Sequence, residues 1–371
     1  GGYALCIAEN KRANEWGYGI EYIDHLIREI RLAGSQLKEK NRVTSLYFGG
    51  GTPALAAERI GEIISVIGEY FDITEGTGLE LHPDDVSEET LTVLRAAGVT
   101  KISIGIQSFG DKFLSILGRK GLDPVRVEAA LEKVPFETVS MDFIFALPGQ
   151  TFDDLKADID TAFSIGADHV AIYPFIDFTF AGSGVSPMGK QEKRKLLDSI
   201  TLYCLSKGYT RDSIWTFSNK PGAKYSSMTR DNYLGFGCSA VTLLRDQFRI
   251  NTFSVKEYQE RIRNSMLPTS LTLRFTERQR MIYYLFWSAY STRVDPHKFE
   301  DFFGVPLEKV YGFELWLAKK LGFIVEEDGV YHMTLKGAFN YHHYESYYTL
   351  AYINKMWGIM RYTAFPDKIV L

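Results

Sequence analysis

Cysteine is scarce, with Cys6, Cys204 and Cys238 the three present among 371 residues. An odd, widely spaced set supports neither a disulfide framework nor a complete local metal motif, and its default setting is reducing and cytosolic. No apolar run reaches the ~18 residues that a membrane-spanning helix requires, and no signal peptide is visible. A large excess of either charge is missing too. The 42 basic and 46 acidic side chains leave a net charge of -4, which gives no electrostatic reason to expect a nucleic-acid or membrane partner. Repeats beyond a βα alternation and low-complexity tracts are absent. The first residue is Gly rather than Met, so the chain is expected to be an ordered subset of a longer one.

What is there is a globular composition, 45% hydrophobic and 24% charged, long enough for one large domain and a smaller one. The 22 Tyr and 25 Phe suit a large planar ligand and equally suit ordinary core. From Tyr3 to about Tyr173, short β-rich runs (YALCIA, TSLYF, GLELH, KISIGI, TVSMDFI, HVAIYP) alternate with stretches of helical period such as IEYIDHLIREIRLAG and FDDLKADIDTAFSIGA. Six such units predict an α/β fold, an open or partial (β/α)6 barrel whose chemistry sits where strand C-termini meet the following loops. Thr151 and Asp154 are placed to form a reciprocal cap on the last of these helices. A helix is expected from Gln191 to Lys207, and strand character returns in TRDSIWTFSN. The expected division is 1–180 for the barrel, 181–265 for an extension on the substrate side and 266–371 for an α-rich, winged-helix-like domain. Its hairpin centres on Glu327, Asp328 and Gly329. Mixed charge disfavours DNA binding by that domain, and packing over the barrel mouth is the plainer use.

The strongest local motif is SLYFGGGTP, a strand running into Gly49, Gly50, Gly51, Thr52 and Pro53, where absent side chains let backbone groups approach a ligand. It has neither the dinucleotide G-x-G-x-x-G spacing nor the P-loop lysine. Polar groups recur at the ends of successive strands: Glu80 and His82, Gln107 and Ser108, and Asp142. Several such groups at one barrel rim make a site, and Arg119 adds a cation able to grip a carboxylate in two places. In the C-terminal tail, His342 and His343 point to different sides of a helix, so at most one can face a pocket. Both are expected to be exposed, and the tail aromatics are expected to be core or to line a site.

GGGTP, the Glu80 strand followed by Pro83, ISIGIQSF with ILGRK a dozen residues on, MDFIFALPGQT and YLGFGCSA together resemble the radical S-adenosylmethionine (SAM) family of oxygen-independent coproporphyrinogen III oxidase and its relatives. The resemblance runs from about Tyr3 through at least Arg263. It implies that Gly50, Gly51 and Thr52 hold the methionine end of SAM through backbone groups and that Glu80 lies near its amino group. Gln107, Arg119 and Asp142 match the residues that bind its carboxylate and ribose, and Gly235, Gly237, Ser239 and Ala240 match a turn near the active site. Cys238 falls in the variable position of that turn and is expected to be a small packed residue.

The same resemblance implies a [4Fe-4S] cluster held by three cysteines spaced C-x-x-x-C-x-x-C after the first strand, and here the pattern breaks. YALCIA passes directly into ENKRANEW with no second or third cysteine. Either the cluster loop belongs between Ala8 and Glu9 and is missing from this sequence, in which case Cys6 is a strand residue, or the protein is a relative without radical chemistry. The intact pocket residues favour the first. The implied function is then generation of a 5'-deoxyadenosyl radical for hydrogen abstraction from a large planar substrate, foremost oxidative decarboxylation of coproporphyrinogen III. Relatives use the scaffold for methyl transfer, cyclopropanation or haem ring opening, with one or two SAM molecules, and a haem-chaperone branch binds tetrapyrrole with little turnover. A reductant such as flavodoxin or ferredoxin would be the partner of the catalytic forms.

Overall fold

The computed structural model describes residues 3–8, 19–176, 186, 188–220 and 231–367, with side chains described from residue 21 onward. The expected cluster loop at the Ala8–Glu9 junction and the ENKR run therefore lie outside the described residues, as does the domain boundary expected at 180/181.

Six strands follow the sequence pattern closely: β1 (Tyr3–Ala8), β2 (Ser45–Gly49), β3 (Thr77–Leu81), β4 (Lys101–Gln107), β5 (Thr138–Phe145) and β6 (His169–Pro174). They are followed by β7 (Thr210–Ser213), β8 (Thr216–Ser218), β9 (Asn232–Phe236), β10 (Val241–Leu244), β11 (Gln247–Asn251) and β12 (Thr269–Arg274). These form one twelve-stranded sheet in the order β12-β11-β10-β9-β1-β2-β3-β4-β5-β6-β8-β7. From β9 to β6 all neighbours are parallel, and both flanks are antiparallel. The expected partial (β/α)6 barrel is present, extended by a parallel strand on the β1 side. Thr269–Arg274, just past the 265/266 division, pairs with β11 in this main sheet.

Helices cover the outer face: α1 (Gly19–Gly34), α2 (Ala57–Tyr70), α3 (Glu88–Ala96), α4 (Pro124–Lys133), α5 (Phe152–Ser164) and α6 (Lys190–Ser206). The reciprocal cap between Thr151 and Asp154 opens α5, as its sequence predicts. Then come α7 (Val255–Arg263), α8 (Glu277–Tyr290), α9 (Pro296–Phe303), α10 (Leu307–Lys320), the hairpin β13 (Ile324–Glu327) and β14 (Val330–Met333), α11 (Leu335–Tyr348) and α12 (Asn354–Met360). Helices α8 to α10 with this hairpin make the winged-helix-like outline, closed by left-handed Asp328 and Gly329.

Strand alternation decides what faces inward. Leu46 and Phe48, Leu79 and Leu81, Ile102, Ile104 and Ile106, Met141, Phe143 and Phe145, and Val170 and Ile172 are buried in the core. The intervening residues take the other face: Tyr47, Glu80, Ser103, Gly105, Gln107, Ser140, Asp142, His169 and Tyr173. Parallel strands covered on both faces ordinarily read as continuous apolar runs, so this polar inner face marks the lumen as a site. Register places Glu80, Ser103, Ser140 and His169 in one row across four strands.

Candidate ligand site at the barrel rim

At the C-terminal end of β2, the Gly50 N–H donates to Glu80 Oε2 at 2.9 Å, and the Tyr47 hydroxyl donates to Glu80 Oε1. Gly50 and Gly51 are left-handed, at φ 80° and 61°, a conformation that a β-carbon resists. Gly49 is needed for space. A β-carbon there would lie 2.5 Å from the Tyr47 ring and 3.1 Å from Glu80 Oε1. The three glycines thus have distinct tasks: one admits the Tyr47–Glu80 pair and two turn the backbone across the rim. Thr52 follows and does not cap the next turn with its side chain.

Asp142 lies deep in the barrel, one position beyond Ser140 on the inner face of β5. Its carboxyl is pushed up to about 7, first by burial and then by Glu80, against the opposing effect of the Ser103 and Ser140 hydroxyls. Ser140 also pairs with His169 Nδ1 at 2.9 Å. Gln107 ends β4 at φ 70° with its side chain folded over Gly105, whose β-carbon would lie 3.0 Å from its amide nitrogen. Arg119 Nη1 donates to the Gly105 carbonyl at 3.2 Å, so both side chains reach the same residue. Ser108 and the Phe109 N–H both donate to Asp158 on α5 at 2.8 Å, which fixes the loop after β4. Burial pushes that carboxyl up to about 6. His82 turns aside and accepts from the Asp84 N–H at 3.2 Å.

The turn after β9 lies on the other side of β1. The Gly237 N–H donates to Glu29 Oε2 at 2.8 Å and its carbonyl accepts from Asn251, while the Ala240 N–H donates to the Gly237 carbonyl. Glu29 also accepts from Tyr258 at 2.6 Å and from Asn251 at 3.1 Å, and burial pushes it up to about 7. Gly237 and Ala240 therefore spend both their N–H groups on protein acceptors, and a ligand can reach them through carbonyls or by packing. Cys238 is fully buried, its thiol donating to the Thr252 carbonyl at 3.0 Å, which matches its expected packing role.

A cavity of about 340 Å³ joins this rim to the C-terminal helices. Its lining includes Tyr47, Glu80 and Asp142 from the strands, Tyr173 and Trp215 beyond them, and Trp287, Tyr290 and Glu345 from α8 and α11. The C-terminal region thus closes over the barrel mouth, and part of its aromatic content lines the site. His342 corrects an expectation. It is buried rather than exposed, accepting from Trp215 Nε1 at 3.2 Å and packing on Phe145, while His343 is exposed. Burial lowers His342 to about 4, because a charged imidazole has no water there.

Sequence reasoning leaves Tyr47, Glu29, Asp158 and Glu345 without a role. For two of them a pattern is present: Glu29 lies on the buried stripe of Tyr22, Leu26 and Ile30, and Glu345 on that of Ala338, Tyr341 and His342. A carboxylate on an apolar helical stripe needs a partner, and that spacing alone is enough to single it out.

Two cofactors implied by the resemblance can be tested against these residues. Two carboxyls, one of them deep in the barrel, share a cavity that has no lysine or arginine in its lining among the described residues, so a cationic ligand group fits, and SAM carries one. Among the described side chains, the cysteines do not fit an iron–sulfur cluster. Cys204 is buried on α6 and Cys238 in the turn after β9, and among the described residues no group of three His, Cys, Asp or Glu side chains is placed to hold a metal.

The radical SAM superfamily profile matches residues 10–162. Over 335 residues the chain is 26% identical to the heme chaperone HemW of Bacillus subtilis, covering 85% of this chain and 88% of that protein. HemW of Lactococcus lactis is 28% identical over 338 residues, covering 85% and 86%. Oxygen-independent coproporphyrinogen III oxidase of Pseudomonas aeruginosa is 22% identical over 294 residues, covering 71% and 63%. The solved structure of the Escherichia coli coproporphyrinogen III oxidase HemN, a radical SAM enzyme, superposes with a TM-score of 0.76 at 18% identity, covering 95% of this chain and 90% of that one. With the motifs and the barrel, these similarities show a radical SAM domain over residues 10–162, in a chain whose fold is that of HemN.

Proposed function

We propose that this chain binds SAM at the rim over β2 to β5 and a planar tetrapyrrole, haem or porphyrinogen, in the cavity beneath the C-terminal helices, and that it carries the tetrapyrrole rather than converting it. The observation that carries this reading is the cavity itself, in which Glu80 and Asp142 open onto a wall of Tyr47, Tyr173, Trp215, Trp287 and Tyr290. Aromatic faces suit a flat ligand, and a paired acid site suits a cation. The similarity to HemW over most of both chains supports the carrier role.

On this proposal Gly50, Gly51 and Thr52 present backbone groups to the methionine end of SAM, and Glu80 accepts from its ammonium. Gln107 and Arg119 hold its carboxylate and Asp142 its ribose, while Gly237 and Ala240 shape the far wall. SAM supplies a sulfonium with transferable carbon groups. Glu80, already oriented by Gly50 and Tyr47, fixes the ammonium without reorganising, and Asp142 yields its proton as the cation arrives.

Turnover of coproporphyrinogen is the second reading, favoured by the intact Gly50–Glu80–Asp142 arrangement. It needs three thiolates in the C-x-x-x-C-x-x-C spacing, which this sequence does not contain, and with them a reductant such as flavodoxin or ferredoxin. The test is calorimetric titration with SAM, then anaerobic treatment with iron, sulfide and dithionite and assay for 5'-deoxyadenosine. Expected are one bound SAM, affinity at least tenfold weaker in Glu80→Gln, and no 5'-deoxyadenosine. Formation of that product would overturn the carrier reading, and absence of SAM binding would overturn the rim assignment.

A further inference from the structure

Glu345 enters the cavity from α11, opposite the strand residues, and its carboxyl is half satisfied. Oε1 accepts from Thr349 Oγ1 at 2.9 Å, whereas Oε2 is buried with no hydrogen-bond partner among the described residues. A buried acceptor left unpaired is costly, more so when charged, and whatever fills the adjoining cavity is the available source of a donor. The other ionisable groups lining that cavity are Glu80, Asp142 and the phenols Tyr47, Tyr173 and Tyr290, with no lysine or arginine among the described residues. A ligand carboxylate entering here would meet three acids at low dielectric. A ligand N–H or ammonium would complete the unsatisfied one.

From this we infer that Glu345 makes the cavity selective for a hydrogen-bond-donating, carboxylate-free edge of a planar ligand, which it reads through its unpaired oxygen. The inference rests on the cavity being the seat of the planar ligand proposed above, and it narrows that ligand's class. A tetrapyrrole would enter with its N–H-bearing or unsubstituted portion, and its propionates would stay outside. Oxidation of a propionate chain, the reaction implied for coproporphyrinogen, would then have no carboxylate within reach of the acid-lined cavity.

Two flat, near-isosteric probes test this on the full chain without any tetrapyrrole: tryptamine, which carries an ammonium, and indole-3-propionate, which carries a carboxylate. Calorimetry is run with Glu80 and Asp142 occupied by saturating SAM and again without it. The expected result is at least tenfold tighter binding of tryptamine, a preference that falls to threefold or less in Glu345→Gln. Glu345→Met, of similar size and without the acceptor, repeats the reading should the Gln variant fail to fold. Equal affinity for the two probes, preference for indole-3-propionate, or binding of neither overturns the inference. So does a preference that survives in both variants, since Glu80 and Asp142 would then account for it. Because the probes need neither SAM nor a tetrapyrrole, their outcome is scored separately from the carrier reading. Failure of SAM or haem to bind leaves the comparison without SAM standing as the test of Glu345.

Discussion

At the scale of single residues, Glu80 and Gly49 form a matched pair. Glu80 can take bonds from Tyr47 and the Gly50 N–H because Gly49 leaves the space empty, so Gly49→Ala must push the Tyr47 ring aside. We expect Gly49→Ala to cost about 1–3 kcal/mol of stability, the usual range for overpacking, and to weaken SAM binding at least tenfold; thermal melts and calorimetry measure the two effects. Asp142 makes a prediction of opposite character. Its carboxyl holds a proton up to about pH 7, and a cation placed beside it favours the ionised form, so SAM affinity should rise between pH 6 and 8. Asp142→Asn should flatten that rise. A slope unchanged in the variant would mean that the cation lies elsewhere.

Among elements, the strands are the most legible part of the chain. Alternation alone separates Leu46 and Phe48 from Tyr47, and Leu79 and Leu81 from Glu80, which is why the barrel and most of its rim can be read from sequence. The helices are legible as helices but not as contributors to the site. Glu29 sits on α1 and its partners Gly237, Asn251 and Tyr258 lie more than 200 positions later, a distance that no local pattern spans. His342 departs from its expected exposure for the same reason, since its burial depends on Trp215 from a segment far away in sequence. The turn after β9 owes its shape to Glu29. Glu29→Ala leaves the Gly237 N–H, the Asn251 amide and the Tyr258 hydroxyl without their acceptor, and a loss of about 3–5 kcal/mol is expected, readable by chemical denaturation.

For the whole molecule, the buried ionisable groups set the pH dependence of stability. Glu29 and Asp142 at about 7 and Asp158 at about 6 lie above the ordinary carboxylate range, so between about pH 4.5 and 7 the folded state holds protons that the unfolded chain has released. Their effect is to lower stability as pH rises through that window. His169 and His342, both near 4, act the other way: their contribution is present above about 6.5 and lost as pH falls toward 4. The two effects largely offset each other at mildly acidic pH, and the acids are left unopposed above 6.5. The melting temperature should therefore be nearly flat from pH 5 to 6 and lower by a few degrees, roughly 3–6 °C, at pH 8 than at pH 6. Glu29→Gln should remove part of that fall.

The C-terminal helices and the barrel rim build one cavity, and we propose that a planar ligand occupies it. Titration of the full chain with haem in the presence of SAM, followed by absorbance and by quenching of tryptophan fluorescence, tests it most directly, because Trp215 and Trp287 both line the cavity. Saturation at one haem per chain with quenching is expected, and affinity at least tenfold weaker in the Trp215→Ala, Trp287→Ala double variant. Non-saturating uptake, or saturable binding that the double variant leaves unchanged, would contradict it.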